Sequence, residues 1–116
     1  TRGNAVWRMP LQADGSVTKV SQFFTSYGPS GPDGLTVDLA GRLFVATPGL
    51  GRVWVLNHCA EPVEILTGPK GASLTSVCFG GADMKTLFIT ESTSGSVLKA
   101  DMSIAGPLPK QSAKKD

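Results

Sequence analysis

Two apolar segments of this chain recur at a single spacing. Leu43-Phe44-Val45-Ala46 returns 44 residues later as Leu87-Phe88-Ile89-Thr90, and Gly51-Arg52-Val53-Trp54 returns at the same interval as Gly95-Ser96-Val97-Leu98. A third match runs backwards, where Ala5-Val6-Trp7-Arg8 resembles Arg52-Val53-Trp54-Val55 at a spacing of 47. Each copy has strand length and is rich in β-branched and aromatic side chains, which suit a pleated, half-buried surface. A period of roughly 40 to 50 residues with about four short strands per unit is the mark of β-propeller blades.

The local patterns agree with the repeat. Gly31-Pro32-Asp33-Gly34 carries turn chemistry, since proline pre-sets φ while Asp and Gly accept tight positions. Leu35, Val37 and Leu39 then alternate with Thr36 and Asp38 at period 2, and Ala40-Gly41-Arg42 reverses the chain into Leu43–Ala46. Further strands are expected over 4–9, 16–20, 52–56, 63–66, 74–79, 86–90 and 96–101. Residues 21–30, with Phe23, Phe24 and Tyr27, read as a connector. Fourteen glycines and eight prolines supply the turns between them. No segment holds a helical period.

The expected fold is therefore all-β, a partial β-propeller of about two and a half four-stranded blades. Residues 1–101 form it, with blade boundaries near 31 and 73, and residues 102–116 read as an irregular polar tail. So few blades leave bare strand edges. Either a missing N-terminal half of the propeller or further copies of the chain, as a homo-oligomer, would complete the ring.

Composition excludes more than it assigns. Hydrophobic residues make up 41% and charged residues 17%, an ordinary globular balance. The net charge of +2 is concentrated in Lys110, Lys114 and Lys115 and makes no case for nucleic acid. No apolar run approaches the roughly 20 residues of a membrane-spanning helix. Cys59 lies in a turn and Cys78 in an apolar strand run, where it reads as a buried small hydrophobe. A disulfide between them is not expected, and the compartment stays open.

Several motifs together resemble the regucalcin/gluconolactonase (senescence-marker-protein) lactonase family. These are Gly31-Pro32-Asp33-Gly34-Leu35 with Val37, Asp38, Gly41 and Leu43–Ala46, then Gly51-Arg52-Val53, then Thr75-Ser76-Val77-Cys78-Phe79-Gly80-Gly81, with Thr1 to Arg8 also similar. The resemblance implies the C-terminal part of a six-bladed propeller that hydrolyses sugar-acid lactones. It further implies a divalent cation, often calcium, at the mouth of the central channel. That ion is held by a glutamate of the first blade, an asparagine of a middle blade and the aspartate of the Pro-Asp-Gly motif. Only the last has a counterpart here, Asp33, which is the expected metal ligand and catalytic residue; the other two would precede Thr1.

On residue chemistry alone, Asp33 either caps its own turn or offers a hard oxygen to a cation. Asp38 reads as a turn residue, His58 as an exposed turn histidine, and Glu91 as a solvated turn glutamate that could reach the channel mouth. Trp7 and Trp54 occupy matching strand positions and read as inter-blade packing. Two functions remain open: a metal-dependent lactonase acting on small lactones, or a non-catalytic propeller module that assembles into a closed ring for binding or scaffolding.

Overall fold

The computed structural model describes residues 3–26 and 31–108, so the readings at Thr1, Arg2, Tyr27 and the lysine-rich end lie outside it. Nine strands form three antiparallel sheets, and no α-helix occurs among the described residues. The first sheet pairs β1 (Ala5–Arg8) with β2 (Ser21–Thr25). The second is a meander of β3 (Leu35–Val37), β4 (Leu43–Thr47), β5 (Arg52–Leu56) and β6 (Pro62–Thr67). The third is a meander of β7 (Leu74–Gly80), β8 (Thr86–Glu91) and β9 (Ser96–Asp101). One full four-stranded blade thus stands between two incomplete ones, the partial propeller that the repeat predicts.

The 44-residue spacing has a backbone cause. Gly51 and Gly95 both adopt left-handed φ, 61° and 71°, immediately before β5 and β9. An L side chain at either position would be strained, so the same turn is rebuilt in successive blades. In the full blade that turn follows a single 3-10 turn, Pro48–Leu50.

Burial alternates most clearly along β7 and β8, whereas Phe44 to Thr47 of β4 are buried without a break. Phe44, Ala46, Val53 and Val55 of the full blade face Leu74, Val77, Phe79, Leu87 and Ile89 of the next one, and Met102 closes the cluster. Each fully buried side chain of this size contributes roughly 1.5–3 kcal/mol relative to exposure. The Phe44 and Phe79 rings meet edge to face, with centroids 5.2 Å apart, a favoured geometry for aromatic pairs. Beyond β9 the chain stays in contact with both blades. Leu39 N–H donates to Ala105 O at 2.8 Å and Gly106 N–H to Met84 O at 2.9 Å.

Two expectations are corrected. Residues 16–20 are not a strand; only Val17 bridges to Leu11, at the base of the Asp14–Gly15 turn. The strand lies instead at Ser21–Thr25, within the expected connector, because those residues find the register Arg8↔Ser21 to Ala5↔Thr25 against β1. Residues 11–20 are all exposed, so their β-branched side chains had no surface to cover. The second correction concerns Cys78. It is exposed, as is Cys59, and both thiols are free. Its alternating neighbours Val77 and Phe79 take the core face, which leaves Cys78 on the opposite one.

Candidate functional site

Asp33 stands two residues before Leu35, the first residue of β3, which is the edge strand at the inner side of the full blade. Its N–H donates to Ala46 O at 2.8 Å, and Ala46 N–H returns to Gly34 O at 3.0 Å. This pairing extends the β3–β4 ladder one step and fixes the backbone of Asp33. The carboxylate itself is exposed and makes no side-chain hydrogen bond among the described residues. Hence it does not cap the Pro-Asp-Gly turn. A fixed backbone with an uncommitted carboxylate is the arrangement a ligand residue needs.

The next residue explains the glycine of the motif. Gly34 N–H donates to Thr75 O of β7 at 2.8 Å. A Cβ built on Gly34 would lie 2.7 Å from Ser76 Cα and 2.9 Å from Thr75 O. The inner strands of two successive blades therefore touch backbone to backbone here, an approach only glycine permits. Beside this contact, Thr75 Oγ1 and Thr90 Oγ1 share a 2.8 Å hydrogen bond.

Asp38, five residues after Asp33, is fully committed. Its Oδ1 accepts from the N–H groups of Ala40 and Arg42 at 3.0 and 2.9 Å, and its Oδ2 accepts from Arg42 Nε at 2.6 Å. It is buried and holds the β3–β4 turn, as the sequence indicates. His58 is exposed in the β5–β6 turn. There Asn57 Oδ1 accepts from Cys59 and Glu61 N–H.

Glu91 departs from its expected place in solvent. It is 4% exposed at the end of β8. Oε1 accepts from Ser73 N–H at 3.1 Å and Thr93 N–H at 2.9 Å, and Oε2 from Ser94 N–H and Ser94 Oγ, both at 2.7 Å. These donors favour the ionised form, Ser94 N–H foremost, then the Ser94 hydroxyl and Ser73 N–H, and lower the carboxyl pKa to about 2. Thr93 and Ser94 are local partners, two and three positions on, but Ser73 is not. Ser73 is 18 positions away and reaches Glu91 only through the fold.

Trp54 packs on Phe24 of β2 with centroids 5.9 Å apart, the inter-blade contact expected of it. Trp7 behaves otherwise and is 54% exposed. It borders a cleft of about 460 Å³ between the first sheet and the full blade, shared with Met9, Phe23, Leu35, Val37 and His58.

Among the described residues, no three of His, Cys, Asp and Glu come together as a metal site. A calcium ion takes about six to eight oxygen ligands, so Asp33 is one donor of such a set and the described residues alone do not complete it.

Comparison with known proteins bears on the same stretch. A family model described as the SMP-30/Gluconolactonase/LRE-like region matches residues 1–93. A gluconolactonase from Zymomonas mobilis is 31% identical over 94 residues, covering 75% of this chain and 26% of the relative. A 6-deoxy-6-sulfogluconolactonase from Pseudomonas putida is 32% identical over 94 residues, covering 79% of this chain and 32% of that protein. The chain thus spans between a quarter and a third of the length of these curated relatives. Among solved structures, a calcium-binding protein, regucalcin, from Agrobacterium tumefaciens superposes with a TM-score of 0.77 at 24% identity, covering 92% of this chain and 41% of that one. This likeness establishes the shared propeller-type fold.

Proposed function

The chain belongs to the SMP-30/gluconolactonase/LRE-like family, and from that premise we propose that it works as part of a sugar-lactone hydrolase in which Asp33 is the metal ligand and catalytic residue at the channel mouth. The observation that carries this reading is the state of Asp33. Its backbone is pinned on both sides, by Ala46 O and by Gly34 N–H to Thr75 O, while its carboxylate stays exposed and uncommitted. A divalent cation of the calcium type suits that hard oxygen. When bound at such a mouth, a cation of this kind would supply Lewis-acid polarisation of a lactone carbonyl. The remaining donors of its shell come from outside the described residues, either from further sequence or from further copies.

The test is hydrolysis of glucono-δ-lactone by the purified chain with and without calcium, beside Asp33→Asn. Calcium-dependent turnover that falls roughly a hundredfold in the variant supports the reading. Turnover unaffected by Asp33→Asn rejects it.

A second reading rests on the cleft. Leu35 and Val37 of β3 are 47% and 41% exposed, and they line the cleft together with Trp7 and Met9. Such an apolar face suits a module whose ring is closed by other strands and which serves binding or scaffolding. A discrete dimer or trimer in light scattering, without lactone turnover, is the outcome that favours it.

A further inference from the structure

We propose that Glu91 is a positioning residue for Asp33, acting through the start of β7. This rests on the reading of Asp33 as the functional carboxylate only for its meaning. The mechanical link stands on the hydrogen bonds alone.

The link has three joints. First, Ser73 is held from both sides by the end of β8: its N–H donates to Glu91 Oε1 at 3.1 Å, and its carbonyl accepts from Ser92 N–H at 3.0 Å. Thr93 Oγ1 adds a 3.4 Å bond to Gly71 O in the same inter-blade connector. Second, two residues beyond Ser73, Thr75 O accepts from Gly34 N–H at 2.8 Å. Third, Gly34 is closely hemmed in: a Cβ built on it would lie 2.7 Å from Ser76 Cα, and its carbonyl accepts from Ala46 N–H. A shift at the start of β7 therefore passes directly to Gly34 and so to Asp33.

The repeat supplies an internal control. Thr47 stands 44 residues before Glu91, at the same place in the preceding blade. It is also buried, yet its Oγ1 donates only to Arg52 O at 2.9 Å, within its own hairpin. A hairpin of this type closes without a carboxylate. The longer side chain and two oxygens of Glu91 add what Thr47 lacks, a bond to the connector that leads into the neighbouring inner strand. Three of its four bonds close its own turn, to Thr93 and Ser94, and the fourth, to Ser73, reaches out of it.

The experiment is amide hydrogen exchange on the chain and on two variants, Glu91→Gln and Glu91→Thr. The threonine variant places at 91 the residue that serves the preceding blade at Thr47, and removes the acceptor of Ser73 N–H together with those of Thr93 and Ser94. The Gly34 and Ser73 amides should exchange roughly tenfold faster in either variant, as local opening replaces a held contact. Amides of Phe44, Val53 and Val55 in the full blade should keep their wild-type protection. Unchanged exchange at Gly34 would overturn the proposal and leave Glu91 a local cap. Uniform acceleration through β4 and β5 would overturn it too, because that pattern marks loss of global stability. Calcium titration of the wild-type chain tests the separate reading of Asp33. A silent titration refutes that reading and leaves the exchange result to stand by itself.

Discussion

Gly34 N–H and Thr75 O are 2.8 Å apart, and this bond joins the inner strands of two successive blades beside the candidate carboxylate. The approach leaves no space for a side chain, since an added Cβ would come within 2.9 Å of that same oxygen. The glycine of the Pro-Asp-Gly motif is thus an inter-blade residue as much as a turn residue.

Gly34→Ala should accordingly destabilise the chain by about 1–3 kcal/mol, the range for forcing extra volume into a packed contact. The obstructing atoms are backbone, so a rotamer change cannot relieve them. Urea unfolding of the variant beside wild type measures the loss, and an unchanged midpoint would contradict the contact.

The two aspartates of the hairpin should separate cleanly. Asp33→Asn should alter stability by no more than about 0.5 kcal/mol, because its carboxylate is exposed and holds nothing. Asp38→Ala should cost about 2–4 kcal/mol, since it removes the acceptor of two backbone N–H groups and strands Arg42, whose side chain is only 19% exposed. Thermal unfolding of both variants distinguishes them.

Stability should depend on Glu91 in acid. Its folded pKa, about 2, lies below the ordinary 4.5, so the folded state favours the ionised form. The stabilisation is fully present above about 4.5 and is lost as the pH falls through that value toward about 2. Wild type should therefore lose more stability across that window than Glu91→Gln. Denaturant midpoints at the two ends of the window test it, and parallel losses would refute the assignment to Glu91.

Phe79 stands where two constraints meet. Its ring is edge-on to Phe44, and a Cβ on Gly106 would overlap it, at 2.3 Å from Cγ. Phe44→Ala should cost about 3–5 kcal/mol as a large core deletion. Gly106→Ala should be milder, about 1–3 kcal/mol, and should alter the near-ultraviolet circular dichroism by displacing the ring.

The thiols offer a probe of assembly. Cys59 and Cys78 are both free and exposed, so both should react with a thiol reagent without denaturant. Cys78 lies on the face of β7 turned away from the full blade. If another blade covers that face in a closed ring, Cys78 should slow while Cys59 keeps its rate. Equal rates in an assembled species would place the contact elsewhere.

What the sequence by itself determined is the part governed by short-range rules. The 44-residue repeat, with its recurring glycines at 51 and 95, and the period-2 alternation specified the hairpins, the all-β class and the partial propeller. Asp38 was legible as a turn residue because its hydrogen-bond partners lie within four positions. The motif around Asp33 was legible too, as a pattern of residues.

Tertiary structure decided the rest. Alternation marks two faces of a strand without saying which one a neighbouring sheet will cover, and so Cys78 was placed on the wrong side. Propensity favoured 16–20 over 21–25, but a strand forms where it finds a partner, and β1 pairs with the second segment. Glu91 was read as a solvated turn residue: its partners Thr93 and Ser94 are local, but its remaining donor, Ser73, belongs to a connector 18 positions away. The Gly34–Thr75 bond spans two blades in the same way. Local sequence fixes which residues can form a strand or a turn; only the stacking of one blade on the next brings a distant N–H within hydrogen-bond reach of a carboxylate or a carbonyl.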